Sequence, residues 1–231
     1  MAYKQPQCAL CPFDKSEKSC CKVDGKAPGY CPTLRNPELV RQSIDKGLSG
    51  ADLEFARQAC IQEGEGYCKE KVNGSVRPMK PRILEVIEFA KKMTYHKVAL
   101  IFCVGLRREA SIVHKIFDNH GLDVISIACK VGRVPKETLG LTEEQKIFPG
   151  NFESMCNPIL QALLANSYGS QLNVLLGLCV GHDSLFLKNA DAPSTVLAVK
   201  DRLLGHNPLA AINLSESYYN YLVEPAGKDD E

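Results

Sequence analysis

This sequence lacks a dominant charge. Its 28 Lys and Arg against 27 Asp and Glu leave a formal net charge of +1, so no field marks it for nucleic acid or an anionic membrane surface. No apolar run approaches the roughly 20 residues needed to span a bilayer. The N-terminus, Met-Ala-Tyr-Lys-Gln-Pro-Gln-Cys, carries no apolar signal region, and the expectation is a cytoplasmic protein. A phosphate loop, a dinucleotide fingerprint and a G-x-S-x-G elbow are missing, which removes the familiar nucleotide-binding and serine-hydrolase readings. Tryptophan is absent too, but beside 8 Tyr and 8 Phe this excludes no function. Hydrophobic content of 45% and charged content of 24% are ordinary for a globular protein. At 231 residues the chain can hold one sizeable core or one core plus a small satellite.

Cysteine is what the chain has in excess: eleven in all. Cys8, Cys11, Cys20, Cys21, Cys31, Cys60 and Cys68 come early; Cys103, Cys129, Cys156 and Cys179 come late. An odd count without a secretory signal fits a disulfide framework poorly, and metal binding is the better reading. Residues 8–35 read Cys8-x2-Cys11-x8-Cys20-Cys21-x9-Cys31, with Gly25, Pro28, Gly29 and Pro32 in and after the run. So little apolar content cannot support a core, whereas a thiolate site would supply folding free energy. A Cys-x2-Cys pair brings two thiolates to one centre from a single turn. Cys8, Cys11, Cys31 and one of Cys20 and Cys21, with Cys21 preferred, form the expected ligand set. Zinc and an iron–sulfur cluster both remain open there.

Residues 37–68 read as two helices. Asn36-Pro37 opens the first, which ends near Gly47, and Ser49 is a cap for the second. In that second helix Leu53, Ala56 and Cys60 share a face, which makes Cys60 a core residue and leaves Cys68 open as an extra ligand. Lys69 to Pro81, containing Asn73-Gly74, is the expected linker between a region 1–76 and a domain 77–231. From Arg82 the pattern is regular. Ile83, Val86, Ile87 and Ala90 mark an amphipathic helix, and Val98–Phe102 runs as a strand into Cys103. A helix over 107–119 carries Ala110, Val113, Ile116 and Phe117, and a strand from Val124 runs into Cys129. A long loop with Pro135, Gly140, Pro149 and Gly150 then delivers Cys156. Pro158 opens a helix with Leu160, Leu163 and Leu164. A strand from Val174 runs to Cys179, and a loop through Pro193 leads to a last strand, 195–200. Alternating helices and strands imply an α/β fold: a four-stranded parallel sheet with flanking helices, plus a small cysteine-rich helical N-terminal region. The tail Lys228–Glu231 is expected to fray.

Each late cysteine alone reads as a small buried hydrophobe. Three strand exits that pair Cys with a Gly two or three residues on are harder to dismiss. Gly105, Gly132 and Gly181 let the chain turn at once and bring backbone amides to a bound group. Parallel strands gather their exits on one edge, so Cys103, Cys129, Cys156 and Cys179 are expected to share a metal site. Four ligands from four separate segments suit an iron–sulfur cluster better than compact zinc. His182 is the candidate fifth ligand or proton donor, and Lys200 and His206 are candidate catalytic residues beside it. Lys130, Asp183, Asp201 and Arg202 fall at the same edge, whereas His96, His114 and His120 read as structural.

The segments Phe102-Cys-Val-Gly-Leu-Arg107, Cys129-Lys-Val-Gly132, Met155-Cys-Asn-Pro-Ile159, Leu178-Cys-Val-Gly-His-Asp-Ser184 and Val199-Lys-Asp-Arg-Leu-Leu-Gly-His-Asn-Pro208 resemble one bacterial and archaeal family. Its members are uncharacterised, described as predicted metal-binding, and have a cysteine-rich N-terminus. The resemblance covers nearly the whole chain. It implies metal binding and, from its many anaerobic hosts, oxygen-sensitive chemistry; it implies no reaction. The leading expectation is an iron–sulfur redox protein, with an oxidoreductase of a small molecule as its enzymatic form and a donor such as a ferredoxin as partner. The alternative is a metal sensor or carrier with structural zinc in the N-terminal region. A third reading is structural zinc with inert core thiols.

Overall fold

Parallel pairing dominates the computed structural model, which describes residues 5–70 and 75–223. Asn73-Gly74 of the expected linker and the Lys228–Glu231 tail lie outside the described residues. The chain divides into two compact units, Met1–Glu65 and Gly66–Glu231.

The first unit holds α1 (Pro32–Arg35), α2 (Pro37–Gly47) and α3 (Gly50–Glu65). Asn36 is the residue before α2 and Pro37 its first position, as the sequence indicates. Two expectations fail here. The Ser49 hydroxyl donates to the Lys46 carbonyl, closing α2 instead of capping α3. Cys60 is exposed on α3 rather than packed in a core. Among the described residues, no apolar side chain before Val86 is buried. Hydrophobic burial therefore does little to hold this unit together.

The second unit contains α4 (Arg82–Lys92), β1 (Lys97–Phe102), α5 (Arg107–Asn119), β2 (Asp123–Ala128), α6 (Pro158–Ser167), β3 (Leu172–Leu176), α7 (His182–Asn189), β4 (Ser194–Ala198) and α8 (Leu209–Asn213). The four strands form one parallel sheet in the order β2-β1-β3-β4. Successive side chains of β1 and β3 serve opposite faces. Val98, Leu100, Leu172 and Val174 pack with Val86, Ile87 and Ala90 of α4 and with Ala110, Val113 and Phe117 of α5. Ala99, Ile101 and Leu175 pack with Ala162 and Ala165 of α6 and Phe186 of α7. The domain is therefore a three-layer α/β/α sandwich. Among the described residues no helix is long and apolar enough to cross a membrane.

Three elements depart from the sequence reading. β3 ends at Leu176 rather than at Cys179, because Gly177 adopts φ 67° and turns the chain out of the sheet. The expected loop after Cys179 contains α7. The buried face of α6 is Gln161, Ala162 and Ala165, while Leu163 is exposed; the small alanines let this helix lie close to the sheet.

Gly177 also fixes a close approach. A Cβ there would stand 2.1 Å from Leu106 Cδ1, in the turn that follows β1. Gly177→Ala therefore combines a left-handed backbone with overpacking and should cost about 2–4 kcal/mol. The check is the urea midpoint, and Leu106→Ala in the same chain should recover part of the loss. A midpoint unchanged by Gly177→Ala would contradict this packing.

Candidate functional site

In the sheet order β2-β1-β3-β4 the chain leaves β1 toward β2 and later returns on the other side of β1. The crevice between the exits of β1 and β3 is thus the switch point where α/β folds build sites. Cys103 directly follows β1 and its amide donates to the Leu176 carbonyl at 3.1 Å; Cys129 directly follows β2 and its amide donates to the Phe102 carbonyl at 2.8 Å. Gln161, buried on α6, donates to the carbonyls of Ile127 at 2.8 Å and Phe102 at 3.4 Å, tying together the two strand ends that present these cysteines.

Cys156 arrives from the long loop. A short antiparallel contact between Pro135 and Ser154, with the Met155 amide donating to Val134 at 2.8 Å, returns the loop to the sheet edge. Ion pairs brace its interior: Lys136 with Glu153 at 2.5 Å, and Lys146 with Glu137 and Glu143. The Asn157 amide then donates to the Cys129 carbonyl at 2.8 Å, and the Asn157 side chain caps α6 by accepting from Leu160. As a result Cys156 Sγ lies 3.8 Å from Cys129 Sγ.

Cys129 is buried, while Cys103 and Cys156 are partly exposed. Hydrogen bonds to the Cys103 and Cys156 sulfurs, together with burial, push the Cys129 thiol far up, so it stays protonated between two partners. Its S–H lowers Cys103 against the opposing effect of burial; the Gly105 amide and the Lys200 ammonium lower it further, to about 5. Cys156 falls to about 6, first through Cys129 and then, against burial, through Lys130 and His182. The Val104 amide also points at the Cys129 sulfur, at 3.3 Å. The Cys129 thiol thus lies between two sulfurs whose thiolate forms are favoured by neighbouring amides and cations.

Of the four late cysteines, Cys103, Cys129 and Cys156 are linked through their sulfurs. Cys179, carried past the strand end by Gly177, accepts from the Arg202 guanidinium at 3.0 Å, and its carbonyl accepts from the His182 and Asp183 amides. Gly181, at φ 84°, precedes α7 and starts the helix at His182. Lys200 hydrogen-bonds Cys103, and His182 acts on Cys156 through its charge. His206 is used otherwise: its Nδ1 accepts from the Asp201 amide at 3.1 Å and its own amide donates to the Asp201 carbonyl at 2.9 Å, closing the loop that carries Arg202. Gly132 serves packing, since a Cβ there would meet Leu160 Cδ2 at 2.7 Å.

The N-terminal cysteines form a separate arrangement. Cys8, Cys11, Cys20 and Cys31 line one cavity of about 120 Å3, with Lys18, Ser19, Lys26, Pro28, Tyr30 and Thr33. Cys21, the preferred one of the doubled pair, is not among its lining residues; its sulfur lies 4.0 Å from that of Cys20. Backbone bonds from Ser19 to Lys26 and from Lys26 to Glu17 shape the wall. They bring Gly25 so close to Lys18 and Ser19 that a Cβ would sit 2.5 Å from their backbone atoms. Tyr30 donates to the Leu10 carbonyl at 2.8 Å, pinning the Cys8–Cys11 turn to the Cys31 segment. For Cys31, burial raises the thiol, but the Thr33 and Leu34 amides and the hydroxyls of Thr33 and Ser19 outweigh it and leave it lowered. Among the described residues, no three His, Cys, Asp or Glu side chains converge on a point as ligands of one ion.

The family model described as a protein of unknown function, DUF1847, matches residues 31–197. The chain belongs to this family. An uncharacterised protein of Methanocaldococcus jannaschii is 45% identical over 187 residues, covering 81% of this chain and 89% of the relative. The DUF1847 match takes in Cys31 and the four late cysteines, and leaves Cys8, Cys11, Cys20 and Cys21 before it and Lys200, Arg202 and His206 after it. Neither description carries an activity, so for this DUF1847 member the chemistry rests on its side chains.

Gln161 had a signal that the sequence reading passed over: an amide between apolar residues on a helix that follows a cysteine. In the reduced, metal-free chain, iodoacetamide should label Cys103 at a rate that rises as pH climbs through about 5, because only the thiolate attacks. Lys200→Ala should move that rise upward. Labelling that rises only near the ordinary thiol value of about 8.5 would refute the proposed electrostatics.

Proposed function

We propose that this protein is an iron–sulfur redox protein whose cluster is held in the N-terminal cavity by Cys8, Cys11, Cys20 and Cys31. The observation that carries the reading is four cysteines around one cavity of about 120 Å3. Four thiolates on a single zinc at ~2.3 Å would stand only about 3.8 Å from one another and enclose no such space. A cluster several ångströms across needs its ligands spread in this way. The absence of buried apolar side chains among the described residues before Val86 supports the same reading, since ligand bonds would supply the folding energy that a core does not.

Each element of the region has a part in this. The Cys8–Cys11 turn offers two sulfurs from one side, and Cys31 offers a third from the start of α1. Cys20 offers the fourth from the strip beside Gly25. The Thr33 and Leu34 amides directed at Cys31 are donors of the kind that stabilise thiolate ligands. Such a cluster supplies one-electron transfer, and a donor such as a ferredoxin would serve it. We assign the cluster here and not to the strand exits, because Cys129 and Cys156 touch each other and leave no gap for iron and sulfide.

Protein purified without oxygen should carry about four iron and four acid-labile sulfide per chain, with broad absorption near ~400 nm. Cys8→Ser or Cys31→Ser should abolish the absorption, while Cys21→Ser and Cys103→Ser should retain it. One zinc per chain without sulfide would overturn the proposal in favour of a structural zinc site.

A further inference from the structure

The sheet-edge cysteines are not used by that reading, and their geometry suits a different chemistry. Cys129 and Cys156 have sulfurs 3.8 Å apart. Their backbones run side by side, joined by the bond from the Asn157 amide to the Cys129 carbonyl. A disulfide needs its two backbones close, with Cα atoms about 4.4–6.8 Å apart, and the bond from Asn157 to Cys129 brings the two chain segments together at this pair. One sulfur is buried and the other partly exposed, the usual division between a resolving and an attacking thiol. We propose that Cys156 and Cys129 form a dithiol–disulfide couple that reduces a disulfide-bonded substrate, with Cys156 attacking and Cys129 resolving.

The exchange balances. The Cys156 thiolate attacks one sulfur of the substrate disulfide; the new Cys156–substrate bond forms as the substrate's own S–S bond breaks, and the departing thiolate takes up a proton. Cys129 then passes its proton to the Cys103 sulfur, to which its S–H is bonded, as its own sulfur attacks Cys156. The Cys129–Cys156 bond forms, the Cys156–substrate bond breaks, and the second substrate thiolate leaves and takes up that proton. Two protein thiols are oxidised and one substrate disulfide is reduced to two thiols. An external dithiol returns the couple to its reduced form.

The surroundings match these roles. Lys130 and His182 lie beside Cys156 and favour its thiolate. Lys130 is itself held by the Ser154 carbonyl, two residues before the cysteine it serves. The Val104 amide, 3.3 Å from the Cys129 sulfur, supports negative charge there as the second step begins. Phe186, Ala162 and Ala165 close the site from the α6–α7 side, so bulk water does not reach Cys129.

The test uses the full chain, reduced under anaerobic conditions and then equilibrated with glutathione disulfide or, in parallel, with insulin as a protein disulfide. Alkylation and peptide mass spectrometry follow. The proposal expects a Cys129–Cys156 linked peptide with either oxidant, and which oxidant produces it identifies the substrate as a small-molecule or a protein disulfide. In Cys129→Ser, glutathione should instead remain trapped on Cys156, and in Cys156→Ser no adduct should appear on Cys129. Circular dichroism checks that the variants fold, and the linkage in the unaltered chain needs no variant. Both cysteines remaining free after equilibration would overturn the couple. So would a Cys129–Cys103 linkage, or protection of the thiols by a bound ion until a chelator is added. Iron and sulfide measured on the same sample report on the N-terminal cluster separately, so either proposal can fail without the other.

Discussion

The parallel pairing of β1 with β3 is the constraint on which the second unit depends. Val98 pairs with Leu172 and the register runs on to Phe102 against Leu176, so both strands end at the same level. The next two residues, Cys103 and Gly177, inherit that level, and β2 adds Cys129 from the other side of β1. A sheet with one antiparallel member would send one of these exits to the opposite end. Because the central strands are buried on both faces, a register slip would turn packed side chains such as Leu100 and Ile101 onto the wrong layers. The cost of that slip holds the sulfurs in place. The sulfurs themselves contribute little to the packing: only Cys129 is buried among the core residues.

Electrostatics at this edge follow from the same alignment. Strand exits expose backbone amides that no longer have a ladder partner, and those of Val104 and Gly105 point at sulfur. Cations come from the segments that leave the sheet next: Lys130 after β2, and Lys200 and Arg202 after β4. Each cation acts on a different cysteine: Lys200 and Arg202 bond to Cys103 and Cys179, and Lys130 favours the Cys156 thiolate through its charge.

Much of this fold was legible because its signals are local and periodic. Apolar runs ending in Cys103 and Cys129 mark buried strands, and the i, i+3, i+4, i+7 pattern from Ile83 marks α4. Where one residue overrides a pattern, the reading fails. The run from Val174 to Cys179 is apolar throughout, and only the positive φ of Gly177 and its contact with Leu106 show that the strand stops three residues early. That shift places Cys179 three residues beyond the strand end. On α6 the leucines outweigh the alanines by hydrophobicity, yet the alanines face the sheet because the space there is narrow. Gln161 escaped for the same reason. The choice between Cys20 and Cys21 depends on a turn around Gly25, and adjacent residues in a loop carry no periodicity to decide it.

The two groups of cysteines differ in the space around them. At the sheet edge a packed core presses thiols into contact, where sulfur can bond to sulfur. Among the described residues of the first unit no comparable core exists, and the cysteines stand around a cavity shaped by Tyr30, Gly25 and the start of α1. A chain segment with few buried apolar contacts would ordinarily collapse or stay unfolded, because ordering its backbone costs about 1–2 kcal/mol per residue. Ligand bonds formed inside the cavity would offset that cost; empty, the same cavity would be a net loss. The segment's composition, poor in apolar residues and rich in Cys, Gly and Pro, is therefore consistent with a fold completed by what it binds.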